Sequence, residues 1–188
     1  MFDFKSVSYV ISCPSKEYRP KDHLPEIVVL GKSNVGKSTF LNALTGQKIA
    51  YSSKKAGKTQ LLNYFLVDSS FYLVDSPGYG YTEYGNREDV SFRDMMEGYF
   101  GNNPFLKGAV VLVDSRRGPS KDDLLLISFL KESRVPYLLV YTKSDLARQS
   151  ELAACRKATL GYAPTAICLS PKFVTPSGLR KLVVSFLQ

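Results

Sequence analysis

Residues 31–38 read Gly-Lys-Ser-Asn-Val-Gly-Lys-Ser, and this run limits the fold more than any other part of the 188-residue chain. It fits the phosphate-loop pattern G-x-x-x-x-G-K-[ST]. The apolar run Ile27-Val28-Val29-Leu30 precedes it and Phe40-Leu41-Asn42-Ala43-Leu44 follows, so the loop leaves a strand and opens a helix, the context the pattern requires. Gly31 and Gly36 let the backbone curl until successive N–H groups face a phosphate, and the helix adds its positive end. Lys37 is expected to reach the outer phosphates and the Ser38 hydroxyl to ligate Mg²⁺, with Lys32, Ser33, Asn34 and Val35 completing the contact set.

A loop of this kind needs a parallel sheet behind it, and the chain supplies one. Strand-like runs at 27–30, 61–67, 71–74, 109–113, 137–141 and 165–169 alternate with helix-like stretches at 37–45, 87–100, 121–132, 148–160 and 176–187. The helix at 121–132 carries Leu124, Leu125, Ile127 and Phe129 in a charged frame; the last one carries Leu179, Leu182, Val183, Phe186 and Leu187 at helical spacing. The expected fold is α/β in three layers, with a mostly parallel six-stranded sheet. Asp68-Ser69-Ser70 is short enough to join two strands as an antiparallel hairpin at one edge. Residues 1–25 read as an N-terminal extension, in which alternation at Val7, Tyr9 and Ile11 can add an edge strand. Residues 26–188 read as one domain.

Further motifs fall at strand ends, where open α/β sheets bind ligands. Asp75-Ser76-Pro77-Gly78 closes the run at 71–74; Asp75 can hold Mg²⁺ through water and the Gly78 N–H can sense a terminal phosphate. Gly57-Lys58-Thr59-Gln60-Leu61 lies between loop and strand, and the Thr59 hydroxyl can complete the magnesium shell. Thr142-Lys143-Ser144-Asp145 leaves another strand. A carboxylate at Asp145 accepts from guanine N1 and N2, a donor pair adenine lacks, and the aliphatic stem of Lys143 can lie along the base. These segments point to GTP or GDP. The segments at 48–60 and 76–90 are expected to act as switches.

Charge supplies a second kind of partner. The net charge is +8, no acidic residue lies between Glu26 and Asp68, and the tail from Arg148 carries Arg156, Lys157, Lys172, Arg180 and Lys181 against Glu151 alone. Clustered cations suit RNA or a ribonucleoprotein, although a solvated basic surface has the same composition. Cys13, Cys155 and Cys168 have no metal-ligand spacing and read as reduced thiols. The longest apolar runs are too short to span a bilayer and the N-terminus does not resemble a signal peptide, so the expected protein is a cytoplasmic monomer with no membrane partner.

The runs at 31–38, 57–60, 75–81 (Asp-Ser-Pro-Gly-Tyr-Gly-Tyr), 114–118 (Asp-Ser-Arg-Arg-Gly) and 142–145 together resemble the EngB family of ribosome biogenesis GTP-binding proteins, in the translation-factor class of P-loop GTPases. The resemblance implies GTP binding with Mg²⁺, slow hydrolysis, association with the assembling large ribosomal subunit or its rRNA, and a link to cell division and septation. It also implies a fifth guanine-contacting segment. Reading Cys168-Leu169-Ser170 as that segment puts a donor N–H at Ser170, whereas the register Ser170-Pro171-Lys172 would place it on a proline. Tyr79 stands where a Ras-like GTPase carries its water-orienting glutamine. Catalysis is therefore assigned to Lys37 and to Asn34, which sits where related GTPases hold K⁺; a loop-stabilising role for Asn34 fits equally. The alternatives are a potassium-dependent GTPase acting on tRNA or at the membrane, and a metabolic kinase lacking a guanine-reading carboxylate.

Overall fold

The computed structural model describes residues 2–50, 61–79, 97–162, 166–168 and 175–188. Among these residues seven strands form one sheet: β1 (Val7–Cys13), β2 (Glu26–Gly31), β3 (Leu62–Val67), β4 (Phe71–Asp75), β5 (Leu106–Asp114), β6 (Tyr137–Thr142) and β7 (Ala166–Cys168), in the order β1-β3-β4-β2-β5-β6-β7. Helices α1 (Lys37–Thr45), α2 (Lys121–Glu132), α3 (Gln149–Thr159) and α4 (Pro176–Val184) link or follow the parallel strands, and a helical turn occupies 97–100.

The sheet has one strand more than expected, because the extension contributes β1. It pairs antiparallel with β3, which pairs antiparallel with β4. The antiparallel strand of the hairpin is thus second from the edge. A register shift between Tyr9 and Ile11 interrupts β1, an irregularity that discourages pairing on its open side. From β4 across β2, β5, β6 and β7 every pairing is parallel, which sets the carboxyl ends of five strands side by side.

Burial follows from that topology. Strand β2 is buried at all six positions and β5 is buried from Gly108 to Val113, as central strands covered on both faces must be. One face packs Val28, Leu30, Val111 and Leu139 against Ile127 and Leu130; the other packs Ile27, Val29, Val110 and Leu112 against Phe40, Leu41, Leu44, Leu179 and Val183. Helix α2 enters the core through Leu126, Ile127 and Leu130, and Leu125 is 65% exposed, so its inward stripe is shifted from the one its sequence suggested. Helix α4 buries Leu179 and Val183, then tightens into a 3₁₀ turn at Ser185–Leu187.

Arg180, counted above among the surface cations, is spent on structure. Its Nε and Nη2 donate to the carbonyls of Leu44 and Thr45 at 2.8 Å, and Nη1 reaches Asp3 O. The guanidinium therefore satisfies the C-terminal carbonyls of α1 and complements its negative end. At the far end of the sheet, buried Glu26 accepts from Arg19, Tyr99 and Asn103, which ties the extension to the segment around 97–103.

Candidate functional site

The phosphate loop is built by β2 and finished by α1. Gly36 precedes the helix with φ 114° and, as a glycine, offers no side-chain cap to its first turn. The initial N–H groups of α1 are thereby left for an anion. Gly31 has no room for a side chain: a Cβ there would meet Val35 Cγ1 at 2.7 Å. Val35 is buried, and its carbonyl accepts from Thr142 Oγ1 at 2.7 Å, so the loop is pinned to the end of β6. Asn34 is exposed and lies at φ 61°, a left-handed conformation that asparagine tolerates better than most residues.

Lys37 and Asp75 form the polar centre. Lys37 Nζ donates to Gly31 O at 3.0 Å and to Lys32 O at 3.2 Å, which curls the ammonium under the loop. Burial pushes the Lys37 pKa down, and nearby Asp75 works against that shift. Asp75 ends β4 beside Val29 of β2. Burial raises its pKa to about 6, despite Lys37 and a hydrogen bond from Asn63, its cross-strand partner on β3. Among the described residues, Asp75 Oδ1 is buried with no hydrogen-bond partner. A buried carboxylate oxygen left unpaired is costly, and a hydrated cation offsets that cost. The donor set of Asp75 and the Ser38 hydroxyl, all oxygen, fits Mg²⁺.

Gly78 and Tyr79 lie across the phosphate loop. Ser33 Oγ donates to Gly78 O at 3.2 Å and Ser33 N to Tyr79 O at 3.1 Å. A Cβ on Gly78 would stand 2.7 Å from the Ser33 backbone and 2.8 Å from Lys37 Nζ, so only glycine fits. Ser76 is buried, with its hydroxyl on Val29 O at 2.8 Å. Tyr79 is also buried, and its hydroxyl donates to Asp123 Oδ1 at 2.6 Å. The other Asp123 oxygen accepts from Ser120 N in the capping box that starts α2. Tyr79 is therefore an anchor, and its hydroxyl is committed to Asp123.

The segments expected to read the base leave β5, β6 and β7. Thr142 closes β6 and Ser144 is buried behind it, while Asp145 is exposed. Lys143 takes φ 56°, and its Nζ donates to Asn34 O at 2.8 Å and to Asp114 Oδ2 at 2.9 Å. Arg116 holds the same carboxylate through its backbone N, Nε and Nη2. Partial burial works to raise the Asp114 pKa, but the Arg116 and Lys143 hydrogen bonds outweigh it and hold the carboxyl well below the usual range. Cys168 ends β7 next to Tyr141, with Arg156 Nη2 3.8 Å from its sulfur.

Residues 31–38, 75–78, 142–145 and 168 thus gather at the carboxyl ends of adjacent strands. Gly57, Lys58, Thr59, Gln60, Leu169 and Ser170 lie outside the described residues, as does most of the helix expected at 87–100; Leu61 immediately precedes β3. Motif reading assigned no role to Asn63 or Asp123, and it noted Arg116 only as part of the run at 114–118. The available signal was position, since Asp114 ends β5 as Asp75 ends β4. A cavity of about 320 Å³ lined by Ser128, Lys131, Glu132, Gly161 and Tyr162 contains none of these motif residues.

Fold and site together define a P-loop GTPase. Residues 26–143 match the family described as 50S ribosome-binding GTPase. The Probable GTP-binding protein EngB of Lactobacillus helveticus is 42% identical over 149 residues, covering 79% of this chain and 76% of that one. Its namesake in Geobacillus kaustophilus is 43% identical over 142 residues, covering 75% and 73%. The chain belongs to the EngB family of GTP-binding proteins. Among solved structures, a crystal structure of a probable GTP-binding protein EngB superposes with a TM-score of 0.65 at 23% identity, covering 86% of this chain and 98% of the other. Era of Aquifex aeolicus, bound to GDP and AlF₄⁻, gives a TM-score of 0.66 at 22% identity over 87% of this chain and 56% of its own. At such identities the likeness is one of fold. No helix among the described residues is long and apolar enough to cross a membrane.

Proposed function

We propose that this GTPase is a slow, Mg²⁺-dependent switch that assists assembly of the large ribosomal subunit, acting in the cytoplasm as a monomer and needed for normal division and septation. The observation that carries the nucleotide part is the buried Asp75 Oδ1, unpartnered among the described residues, beside Lys37 and a helix that starts at a glycine. The ribosomal part is supported by the family description and by the basic balance of the chain. Residues 1–25 serve as the extension and 26–188 as the GTPase domain.

In this reading the N–H groups of residues 31–38 bind the phosphates and Lys37 turns from its carbonyl partners to the outer ones. Ser38 and Thr59 would ligate Mg²⁺, with Asp75 holding it through water; when bound, the ion would supply charge neutralisation at the phosphate oxygens. Gly57–Leu61 and Asp75–Gly78 report the third phosphate. Thr142–Asp145 and Cys168–Ser170 enclose guanine, and Asp145, exposed in the protein alone, becomes costly to leave unpaired once a base covers it. Slowness follows from Tyr79, whose hydroxyl is engaged with Asp123 rather than positioned on a water. The side chain of Asn34 would supply one ligand for K⁺, a cation that would offset developing charge.

Co-sedimentation with ribosomal subunits under GTP, GDP and no nucleotide, across a salt series, tests the whole. Retention on the large subunit that depends on GTP and weakens with salt is expected. Equal sedimentation in all three states would remove the ribosomal switch. GTP turnover in K⁺ against Na⁺ at equal ionic strength tests Asn34, and identical rates dispose of the cation.

A further inference from the structure

We propose that Asp114 is a positioning residue for base recognition: it fixes the Lys143 side chain as a preformed wall for the guanine ring. The inference rests on the reading of Lys143 given above. It adds the group that orients it.

Lys143 starts from an unfavourable position. Its φ of 56° is left-handed, where a residue with a Cβ stays only if its surroundings determine it. The turn Leu146 N to Lys143 O, at 3.0 Å, fixes the backbone. The four-carbon stem is still a long flexible chain, and a base cannot lie against a stem that samples many rotamers without ordering it first. Two acceptors remove that freedom. One is Asn34 O on the phosphate loop, at 2.8 Å, and the other is Asp114 Oδ2, at 2.9 Å. The ammonium is thereby held between the phosphate loop and the end of β5, which fixes the far end of the stem.

Asp114 is itself fixed before it acts. Asp114 and Thr142 are register partners on β5 and β6, so Asp114 and Lys143 leave neighbouring strands together. Oδ1 accepts from Arg116 N and Nε, both at 3.1 Å, and Oδ2 accepts from Nη2 at 2.8 Å. The side chain of Asp114 is only 12% exposed. An ordinary surface ion pair between two free side chains orders little. Here the carboxylate is clamped from behind by a planar fork, and its remaining direction is given to Lys143. Arg116 thus acts at one remove, by holding Asp114.

Three single variants, one double variant and two probes test this. GDP carries the base; inorganic triphosphate, measured by competition against a fluorescent GDP, carries phosphates alone. Asp114→Asn is expected to weaken GDP about tenfold, equivalent to ~1.4 kcal/mol, mainly through faster release. Inorganic triphosphate should bind unchanged. Arg116→Ala, which leaves the carboxylate in place, should show a smaller loss in the same direction. In a Lys143→Ala background, Asp114→Asn should add nothing, because its effect passes through the missing ammonium. Additive losses in the double variant, or equal losses for inorganic triphosphate, would overturn the proposal. If Lys143→Ala itself leaves GDP affinity intact, the base-site reading falls as well. If Lys143→Ala weakens GDP while Asp114→Asn does not, only the present inference falls.

Discussion

Asp75→Asn offers the sharpest separation of function from stability. The carboxylate has an ordinary pKa of 3.8 and reaches about 6 in the fold because burial penalises its charge more than Lys37 and Asn63 favour it. A raised folded pKa means that the folded protein binds the proton better than the unfolded chain does. The resulting stability is complete below about pH 4 and is lost as pH climbs to about 6. The two-unit rise is worth about 3 kcal/mol, of which nearly all is missing at pH 7.5. An asparagine keeps the shape without the charge. In EDTA and without nucleotide, Asp75→Asn should therefore be more stable than the parent at pH 7.5 by up to about 3 kcal/mol, or roughly 6–12 °C in Tm for a domain of this size. At pH 4.5 the gap should shrink to a fraction of that. With Mg²⁺ and GTP the order should reverse, because only the parent gains binding energy at the metal. Urea melts at the two pH values, with and without Mg²⁺ and GTP, measure all of it. A variant less stable than the parent at pH 7.5 without ligand would refute the burial argument.

Gly78→Ala places a methyl 2.7 Å from the Ser33 backbone, so GTP affinity should fall about tenfold or more with GDP less affected, read by equilibrium titration of both. Tyr79→Phe removes the 2.6 Å bond to buried Asp123. It should cost about 1–3 kcal/mol in urea melts and leave the chemical step of GTP turnover within about twofold; a large fall in single-turnover rate would give the phenol a catalytic role. Arg180→Ala strips the donors from Leu44 O and Thr45 O, with an expected loss of about 2–3 kcal/mol and unchanged base preference. Asp145→Asn should move preference from guanosine toward xanthosine nucleotides, checked by competition.

Where local chemistry punctuates the chain, the sequence was enough. Helices α1 and α2 begin and end where 37–45 and 121–132 were expected. The first is bounded by left-handed Gly36 and Gly46, the second begins at the Ser120–Asp123 capping box. Strand ends carrying motifs were legible for the same reason. Long-range geometry was not. Alternation at Val7, Tyr9 and Ile11 is compatible with a strand, but only pairing with β3 makes it the seventh. Leu125 and Leu126 are interchangeable on paper, and a small rotation of α2 decides which one is buried. Arg180 looked like surface charge because its acceptors, Leu44 O and Thr45 O, lie 136 and 135 residues away in sequence. Asp114 was visible as part of a motif, but its hold on Lys143 depends on β5 and β6 being neighbours.

The placement of β1 also sets an order of events during synthesis. It is made before the other described strands, and its neighbour among them, β3, begins at Leu62, about fifty residues after β1 ends at Cys13. At roughly 5–20 residues per second of elongation, the strand waits several seconds for its partner. Throughout that interval Tyr9, Val10 and Ile11 have no sheet to join, and they remain partly exposed even afterwards. This edge of the sheet is therefore written early and closed late, which makes Tyr9, Val10 and Ile11 residues a nascent-chain chaperone would meet while still unpaired.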